Sequence, residues 1–277
     1  MNTVVIKSYQ IKAILAVMVY IETNIDRPLS LSQLASIARI SPYYFHRLFK
    51  AYLSMTPKEY INRIRIASST GRLCYSQIPI RDIAFAMGYG ESSTFTKAFV
   101  KYFKVSPRNY RKEKQKMLFQ LSNQPSILTP EYVYRPEETI AFLRKVGDYR
   151  KTVFEGIEEC RSLFKGAERC YGIALDNPFT LSREKCRFDL CIAKSHLLLL
   201  RGDWGTKVLA KGKYAVFTLF APFCTLEEAF TRCYNLWHRK ENFLFGGCFC
   251  EYVALFQIEK LTENTPLLAK YYIRVEE

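Results

Sequence analysis

The sequence predicts an all-α double helix-turn-helix domain followed by an α+β domain made of two strand-helix-strand-strand repeats. Three observations lead there. Helix-capping signals and apolar residues spaced by three and four run without a strand pattern to about residue 115. Within that stretch the pattern repeats itself after 50 residues. Beyond residue 136, runs of β-branched and aromatic residues alternate with helical segments.

Charge divides the chain in the same way. Residues 1–120 carry 19 basic and 6 acidic side chains, whereas residues 121–277 carry 22 and 20. The first part therefore suits a polyanionic partner, and the second part is nearly neutral.

Cysteine and histidine usage argues against a disulfide framework and against a metal or other cofactor. The nine cysteines are irregularly spaced, without a CxxC pair, and only His46, His196 and His238 could join them as ligands. The apolar run at 11–21 contains Lys12 and no cleavage signal, so it is predicted to be a helix of the mature fold. We expect no membrane span and a cytoplasmic, nucleoid-associated protein.

Capping patterns set the helix starts in the first part. Ser30 to Gln33 and Thr56 to Glu59 read as capping boxes, and Ser41-Pro42 and Ser106-Pro107 are cap-then-proline starts. A long helix over Pro57–Ser76 is predicted to join the two units. The repeat pairs Phe45 with Phe95, Arg47 with Lys97, Phe49 with Phe99, Pro57 with Pro107 and Tyr60 with Tyr110.

These residues resemble a known family. The segment SLSQLASIARISPYYFHRLFKAYLSMTPKEYINRIRIAS (30–68) is similar to the first half of the DNA-binding domain of AraC/XylS-type transcription regulators, and IPIRDIAFAMGYGESSTFTKAFVKYFKVSPRNYR (78–111) is similar to the second half. Ser54 stands where that family usually has glycine. The resemblance implies binding to double-stranded DNA, regulation of transcription and RNA polymerase as a partner.

The two recognition helices supply candidate DNA contacts. Core-facing Phe45, Phe95 and Phe99 leave polar side chains on the opposite faces, where a helix in the major groove meets base edges. The candidates are Tyr43, His46, Arg47, Lys50, Ser92, Ser93, Thr96 and Lys97, at positions that contact bases in the family; the alternative for each is an ordinary solvated residue. Phosphate contacts are expected among Lys50, Arg63, Arg65, Arg72, Lys101, Arg108, Arg111, Lys112 and Lys114.

The second part is predicted to hold two equivalent halves about a pseudo-twofold axis. The domains are placed at 1–116 and 131–277, with a linker at 117–130. Pro125, Pro130 and Pro136 bracket the linker and a first strand. The predicted order is strand 139–146, helix 149–164, strands 170–175 and 185–194, then strand 214–220, helix 225–238 and strands 251–258 and 268–275.

This part resembles the GyrI-like effector domain, through KCRFDLCIA (185–193), GKYAVFTLFAPFCTLEEAFTRCYNLW (212–237) and CEYVALF (250–256). A DNA-binding unit followed by a GyrI-like unit is the order in Rob-type regulators. The resemblance implies an acidic residue in an aromatic pocket that receives cationic ligands.

Glu251 is the candidate acid. By strand alternation it shares a face with Phe249, Val253 and Leu255, and a carboxylate in an apolar row needs a partner. The alternative is a solvated or locally paired acid at a strand end. Candidate pocket walls are Trp237 and Tyr149, with Tyr171, Phe223 and Tyr214 behind them, and all are candidate effector contacts. Arg187 is expected to pair with Asp189.

The leading interpretation is a transcription regulator that senses a small cationic or aromatic effector. Two alternatives belong to other classes: a small-molecule hydrolase with Glu251 as general base, and a protein-interaction module that inhibits a gyrase. The sequence contains no recognisable Ser-His-Asp, Cys-His or metal set, so an enzyme is not predicted.

Overall fold

The structure is a computed structural model that describes residues 6–121, 129–161, 169–193, 203–237, 243–253, 255, 258, 262 and 264–275. The chain divides into two compact units, one formed by the residues up to 115 and the other by most of the residues that follow. Each unit has its own core, and each is described by itself.

The first unit is all helix in its described residues, as predicted. Two helix-turn-helix pairs, α2–α3 and α5–α6, are joined by the long helix α4. The helices are α1 (Ser8–Thr23), α2 (Leu31–Ile37), α3 (Pro42–Leu53), α4 (Pro57–Tyr75), α5 (Ile80–Ala86), α6 (Ser92–Phe103) and α7 (Pro107–Leu121).

Capping side chains begin these helices where the sequence places them. Thr56 Oγ1 accepts the Glu59 N–H at 3.2 Å, and Glu59 accepts the Thr56 N–H at 2.7 Å, which completes a capping box. Ser30 likewise accepts the Gln33 N–H at 3.1 Å. The Gln33 side chain, however, donates to the Tyr20 hydroxyl at 2.7 Å, so the reciprocal half of the box predicted there is wrong.

The internal repeat is a repeat of aromatic packing. Phe49 lies 5.4 Å from Phe45 and 5.6 Å from Tyr60 between ring centroids. In the second copy Phe99 lies 5.6 Å from Phe95 and 5.2 Å from Tyr110. Phe45, Phe49, Phe95 and Phe99 are fully buried, so each helix-turn-helix pair is fixed on α4 or α7 by one aromatic cluster.

Each recognition helix ends on a residue with left-handed backbone. Ser54, after α3, has φ +56°, and Lys104, after α6, has φ +60°. Glycine adopts this conformation without strain, which explains why glycine is usual at the position of Ser54 in the family that the sequence resembles.

Ser54→Gly should therefore raise the free energy of unfolding by about 0.5–1 kcal/mol. Glycine removes the strain of the left-handed backbone in the folded state, which is about 1–2 kcal/mol. It also adds conformational entropy to the unfolded state, which costs about 0.5–1 kcal/mol, so the gain is the larger of the two. Urea unfolding followed by circular dichroism measures the change. The same substitution at Ser68, inside α4, should instead lower stability by about 0.5 kcal/mol, and a loss at both positions would contradict the strain argument.

The second unit is one antiparallel sheet with two helices, which confirms the α+β class. Its strand order is β1-β6-β8-β7-β3-β4-β2-β5. The elements are β1 (Glu131–Arg135), β2 (Glu138–Val146), α8 (Tyr149–Arg161), β3 (Cys170–Ala174), a 3₁₀ turn (Arg183–Lys185), β4 (Arg187–Ala193), β5 (Trp204–Leu209), β6 (Gly212–Pro222), α9 (Phe223–Trp237), β7 (Phe243–Tyr252) and β8 (Pro266–Val275).

The two halves are related by a pseudo-twofold axis at the pairing of β3 with β7, where Tyr171 lies opposite Glu251. The first strand predicted before Pro136 is β1, whereas β5, which begins the second half, was not predicted. These two strands are exchanged between the halves: β1 pairs with β6, and β5 pairs with β2.

One predicted strand is wrong in its bounds. The sequence favoured 251–258, whereas β7 runs from Phe243 to Tyr252 and residue 253 is already a turn. The glycines at 246 and 247 disfavour a strand locally, and the pairing with β8 shifts register between Phe243 and Cys248. The ends predicted at 162–164, at Lys194 and at His238 lie outside the described residues.

Within the described residues, no helix is long and apolar enough to cross a membrane, and no group of three or more His, Cys, Asp or Glu could hold a metal ion. The eight cysteines whose side chains the structure describes have free thiols, and all but Cys248 are buried. Burial raises the pKa of Cys74 and of Cys160 to about 12, which keeps both thiols protonated.

Candidate DNA interface and candidate effector site

Helix α3 presents the first set of candidate DNA contacts on one face. Positions 43, 46, 47 and 50 follow the helical repeat, while Phe45, Leu48 and Phe49 are buried behind them. Tyr43 is 73% exposed, Arg47 and Lys50 are exposed and His46 is half-buried. The Arg47 guanidinium lies 5.8 Å from the Tyr43 ring centroid, so these two side chains share one surface.

Helix α6 presents the equivalent set at its start. Ser93 and Lys97 are exposed, and Ser92 and Thr96 are half-buried. Ser93 donates its hydroxyl to Glu91 Oε2 at 3.1 Å. Sequence reasoning missed Glu91, an exposed acceptor just before the helix that could read a cytosine amino group.

Arg65 and Arg111, two of the expected phosphate contacts, are hydrogen-bonded to backbone carbonyls. Arg65 donates to the carbonyls of Ile25 at 2.9 Å and Arg27 at 2.7 Å, and its burial lowers its pKa. Arg111 donates to the carbonyls of Leu73 at 3.3 Å and Ile78 at 2.6 Å. We therefore correct the expectation: both guanidinium groups tie helices together and are not available as free phosphate contacts.

The candidate effector site lies on the face of the sheet opposite α8 and α9. Four rings meet there, which we call the aromatic cage: Tyr171, Tyr214, Phe249 and Tyr272. Phe249 and Tyr272 stack at 4.5 Å with 9° between their planes, and Tyr171 and Tyr214 meet Phe249 edge-on at 5.7 and 5.5 Å. All four residues are buried.

Two carboxylates border the aromatic cage. Tyr272 donates its hydroxyl to Glu251 Oε2 at 2.7 Å, and Tyr171 donates to Glu138 Oε2 at 2.9 Å. The Glu251 and Glu138 side chains are 17% and 20% exposed. Burial raises the pKa of Tyr171 and of Tyr272, so both phenols remain donors to these carboxylates.

A guanidinium already lies among these groups. Arg135, at the end of β1, donates Nη2–H to Glu138 Oε2 at 3.0 Å and to the Tyr171 hydroxyl at 3.1 Å. Its Nη1 lies 3.7 Å from Glu251 Oε2. Burial alone would lower the pKa of Arg135, but the hydrogen bond to Tyr171 and the nearby Glu251 raise it, so the group is charged.

The structure brings Tyr171 and Tyr214 together with Glu251, but not Tyr149 or Phe223. Tyr149 packs against Phe188 on the helix-covered face, and its hydroxyl donates to the carbonyls of Asp176 and Arg187. Phe223 packs against Phe154 of α8 on that same face. Both residues belong to the core beneath the helices, so the structure does not place them beside Glu251 as the sequence predicted. The side chain of Trp237 lies outside the described residues.

Two further expectations about charged neighbours are also corrected. Glu251 shares its face with Phe249, but the strand ends before residues 253 and 255. Arg187 pairs with Asp176 at 2.8 Å, not with Asp189. Asp189 instead pairs with Arg144 at 2.7 Å and with Lys207 of β5, a strand that the sequence did not reveal.

The first unit is a double helix-turn-helix unit with two exposed polar helix faces, and the second is a sheet that carries the aromatic cage. Together they define a protein with one domain of a DNA-binding type and one of a ligand-binding type. Residues 34–113 match the family described as "Helix-turn-helix domain", of AraC type, and residues 128–276 match the "GyrI-like small molecule binding domain". The second match takes in more than half of the chain. The chain therefore belongs to the GyrI-like family, with an AraC-type helix-turn-helix domain before the GyrI-like domain.

Curated relatives match this chain over about a third of its length. The regulatory protein PocR of Salmonella typhimurium is 36% identical over 94 residues, which are 34% of this chain and 31% of that protein. The lactose operon transcription activator of Staphylococcus xylosus is 32% identical over 92 residues, 33% of each chain. The C-terminal domain of AraT from Geobacillus stearothermophilus is 28% identical with a TM-score of 0.36, over 36% of this chain and 84% of that one. The chain thus spans about a third of the length of the curated relatives.

Proposed function

We propose that this protein is a sequence-specific transcription regulator that binds double-stranded DNA through residues 1–116 and a small effector through residues 131–277, with 117–130 as linker. The observation that carries the first half is the pair of exposed polar faces on α3 and α6. Residues 1–120, which include both helices, carry 19 basic and 6 acidic side chains. This excess of positive charge attracts the DNA phosphates whatever the sequence, while the polar faces contact the base edges.

The two recognition helices should enter successive major grooves of one duplex. A single chain would then protect an asymmetric site of roughly 20 base pairs, since adjacent turns are about 34 Å apart. RNA polymerase is the proposed protein partner and the cytoplasm beside the nucleoid the proposed location. Footprinting at several chain concentrations tests this geometry, and protection of palindromes by dimers only would contradict it.

Arg47→Ala should weaken binding to the preferred site by about 1–3 kcal/mol and relax base choice at one position, because Arg47 is exposed on the α3 face. Fluorescence anisotropy against single-base variants of the site measures both effects. Lys112→Ala is the matched control: a phosphate contact should weaken all sequences alike. A uniform loss for Arg47→Ala as well would remove it from base readout.

The second half of the proposal rests on the aromatic cage. Stacked rings bordered by Glu138 and Glu251 favour a small aromatic or cationic ligand, through ring stacking and cation–π attraction. We propose binding and not catalysis there, because both carboxylates are engaged by tyrosine hydroxyls. Turnover of a small electrophile that is lost in Glu251→Gln would contradict this.

A further inference from the structure

We propose that Arg135 is an internal occupant of the cation site in the aromatic cage, and that a cationic effector binds by displacing its guanidinium. This inference deepens the proposed effector function and rests on it. It concerns which group fills the site when the effector is absent.

The position of Arg135 is that of a bound cation. Its guanidinium carbon lies 4.8 Å from the Tyr272 centroid, 5.3 Å from Phe249 and 5.6 Å from Tyr171. All three distances fall within the range of about 6 Å over which a ring attracts a cation. The side chain is 15% exposed, so the guanidinium takes up the space that faces these rings.

Arg135 is the cation that contacts both carboxylates of the site: its guanidinium lies 3.0 Å from Glu138 and 3.7 Å from Glu251. The half-exposed Arg169 lies 4.0 Å from Glu138, and Lys270 lies opposite Glu251 on the neighbouring strand. A second cation against the same rings would meet Arg135 at close range in a poorly solvated place, where like charges repel strongly. The ligand and Arg135 therefore exclude one another.

Arg135 is also the most easily moved member of the site. It ends a strand of five residues at the edge of the sheet, bonded to β6 alone. Tyr132 and Tyr134 of this strand are 44% and 65% exposed, so displacement of the strand is opposed mainly by its pairing with β6 and by the contacts of Arg135 itself. Tyr171, Phe249 and Glu251 lie on β3 and β7 at the centre of the sheet, so the site itself keeps its shape.

Calorimetry on the full chain tests this with para-hydroxyphenyl-trimethylammonium and its neutral isostere para-tert-butylphenol. Arg135→Gln should bind the cation at least about tenfold tighter than the native chain, and the neutral compound within about threefold. Adding Glu251→Gln should abolish the gain. Arg150→Gln, which removes an exposed arginine paired with Asp148, is the matched control and should bind as the native chain does.

A second measurement needs no variant. When the native chain is saturated with the cation, the amides of residues 131–135 should exchange with deuterium faster, because the guanidinium no longer holds the end of β1. Unchanged or slower exchange there would overturn the inference even if Arg135→Gln failed to fold.

The outcomes separate this inference from the function on which it rests. Suppose that the native chain binds the cation, that Glu251→Gln weakens this binding, and that Arg135→Gln does not tighten it. Arg135 then only stabilises the fold, and the effector proposal stands. If neither chain binds the cation, both the inference and the cationic effector fail, and the DNA footprint still tests the regulator proposal.

Discussion

Asp189→Asn should destabilise the sheet unit by about 3–5 kcal/mol. Asp189 is fully buried and pairs with Arg144 through two hydrogen bonds, at 2.7 and 2.9 Å, and with Lys207. The amide keeps the shape of the side chain but leaves two nearly buried cations without their counter-charge, which is where the loss arises. Urea unfolding followed by tryptophan fluorescence reports it, because both tryptophans of the chain lie in β5 and α9.

The pH dependence gives this prediction a second test. Burial alone would raise the pKa of the Asp189 carboxyl, but Arg144 and Lys207 lower it to about 2. Because the folded pKa is below the unfolded value of about 3.9, the stabilisation is complete above that value and is lost as the pH falls towards 2. The native chain should lose this contribution on acidification, whereas Asp189→Asn should not.

Glu155→Gln is the control for charge removal in the same unit. Glu155 pairs with Lys151 on the surface of α8 at 3.8 Å, with both side chains more than half exposed. Such a pair contributes about 0–1 kcal/mol. Similar losses for both variants would show that Arg144 and Lys207 find other partners or water, and would contradict the burial argument.

The helical unit could be predicted almost entirely from the sequence, because its determinants are local. Caps such as Thr56 with Glu59 act over three residues, and the pairing of Phe45 with Phe95 exposes the repeat without any knowledge of the fold. What failed there was half of the Ser30–Gln33 capping box and the roles of Arg65 and Arg111. The carbonyl partners of Arg65 lie about 40 residues away in sequence.

The candidate effector site could be predicted only in part, since it depends on strand register. Alternation placed Glu251 beside Phe249, but Arg135 and Glu138 come from β1 and β2, more than 100 residues earlier. Nothing local relates these strands to β7, and the exchange of β1 onto β6 is a property of the whole sheet. Tyr149 and Phe223 were misassigned because a ring beneath a helix and a ring in a pocket look alike in sequence.

Gly88→Ala should destabilise the helical unit by about 2–4 kcal/mol and weaken DNA binding with it. Gly88 forms the turn between α5 and α6 with φ +72°, where any other residue is strained by about 1–2 kcal/mol. An added Cβ would also lie 2.5 Å from Arg65 Nη2 and 2.6 Å from the Ile25 carbonyl oxygen. The added methyl group must therefore displace the Arg65 guanidinium. This lengthens or breaks its hydrogen bond to the Ile25 carbonyl and disturbs its contact with the Tyr89 ring at 5.7 Å.

Gly90→Ala, two residues later in the same turn, separates this mechanism from a general intolerance of side chains. Gly90 has no positive φ, and its added Cβ would meet nothing within 4 Å, so its stability should change by less than about 0.5 kcal/mol. Urea unfolding followed by far-UV circular dichroism compares the two variants. Equal changes in the free energy of unfolding for the two variants would mean that the turn relaxes around the side chain added at Gly88. In that case Arg65 does not fix the second helix-turn-helix pair to the segment between α1 and α2. A large loss of stability for Gly88→Ala alone would show that the close approach of Gly88 to Arg65 and Ile25 holds the helical unit rigid.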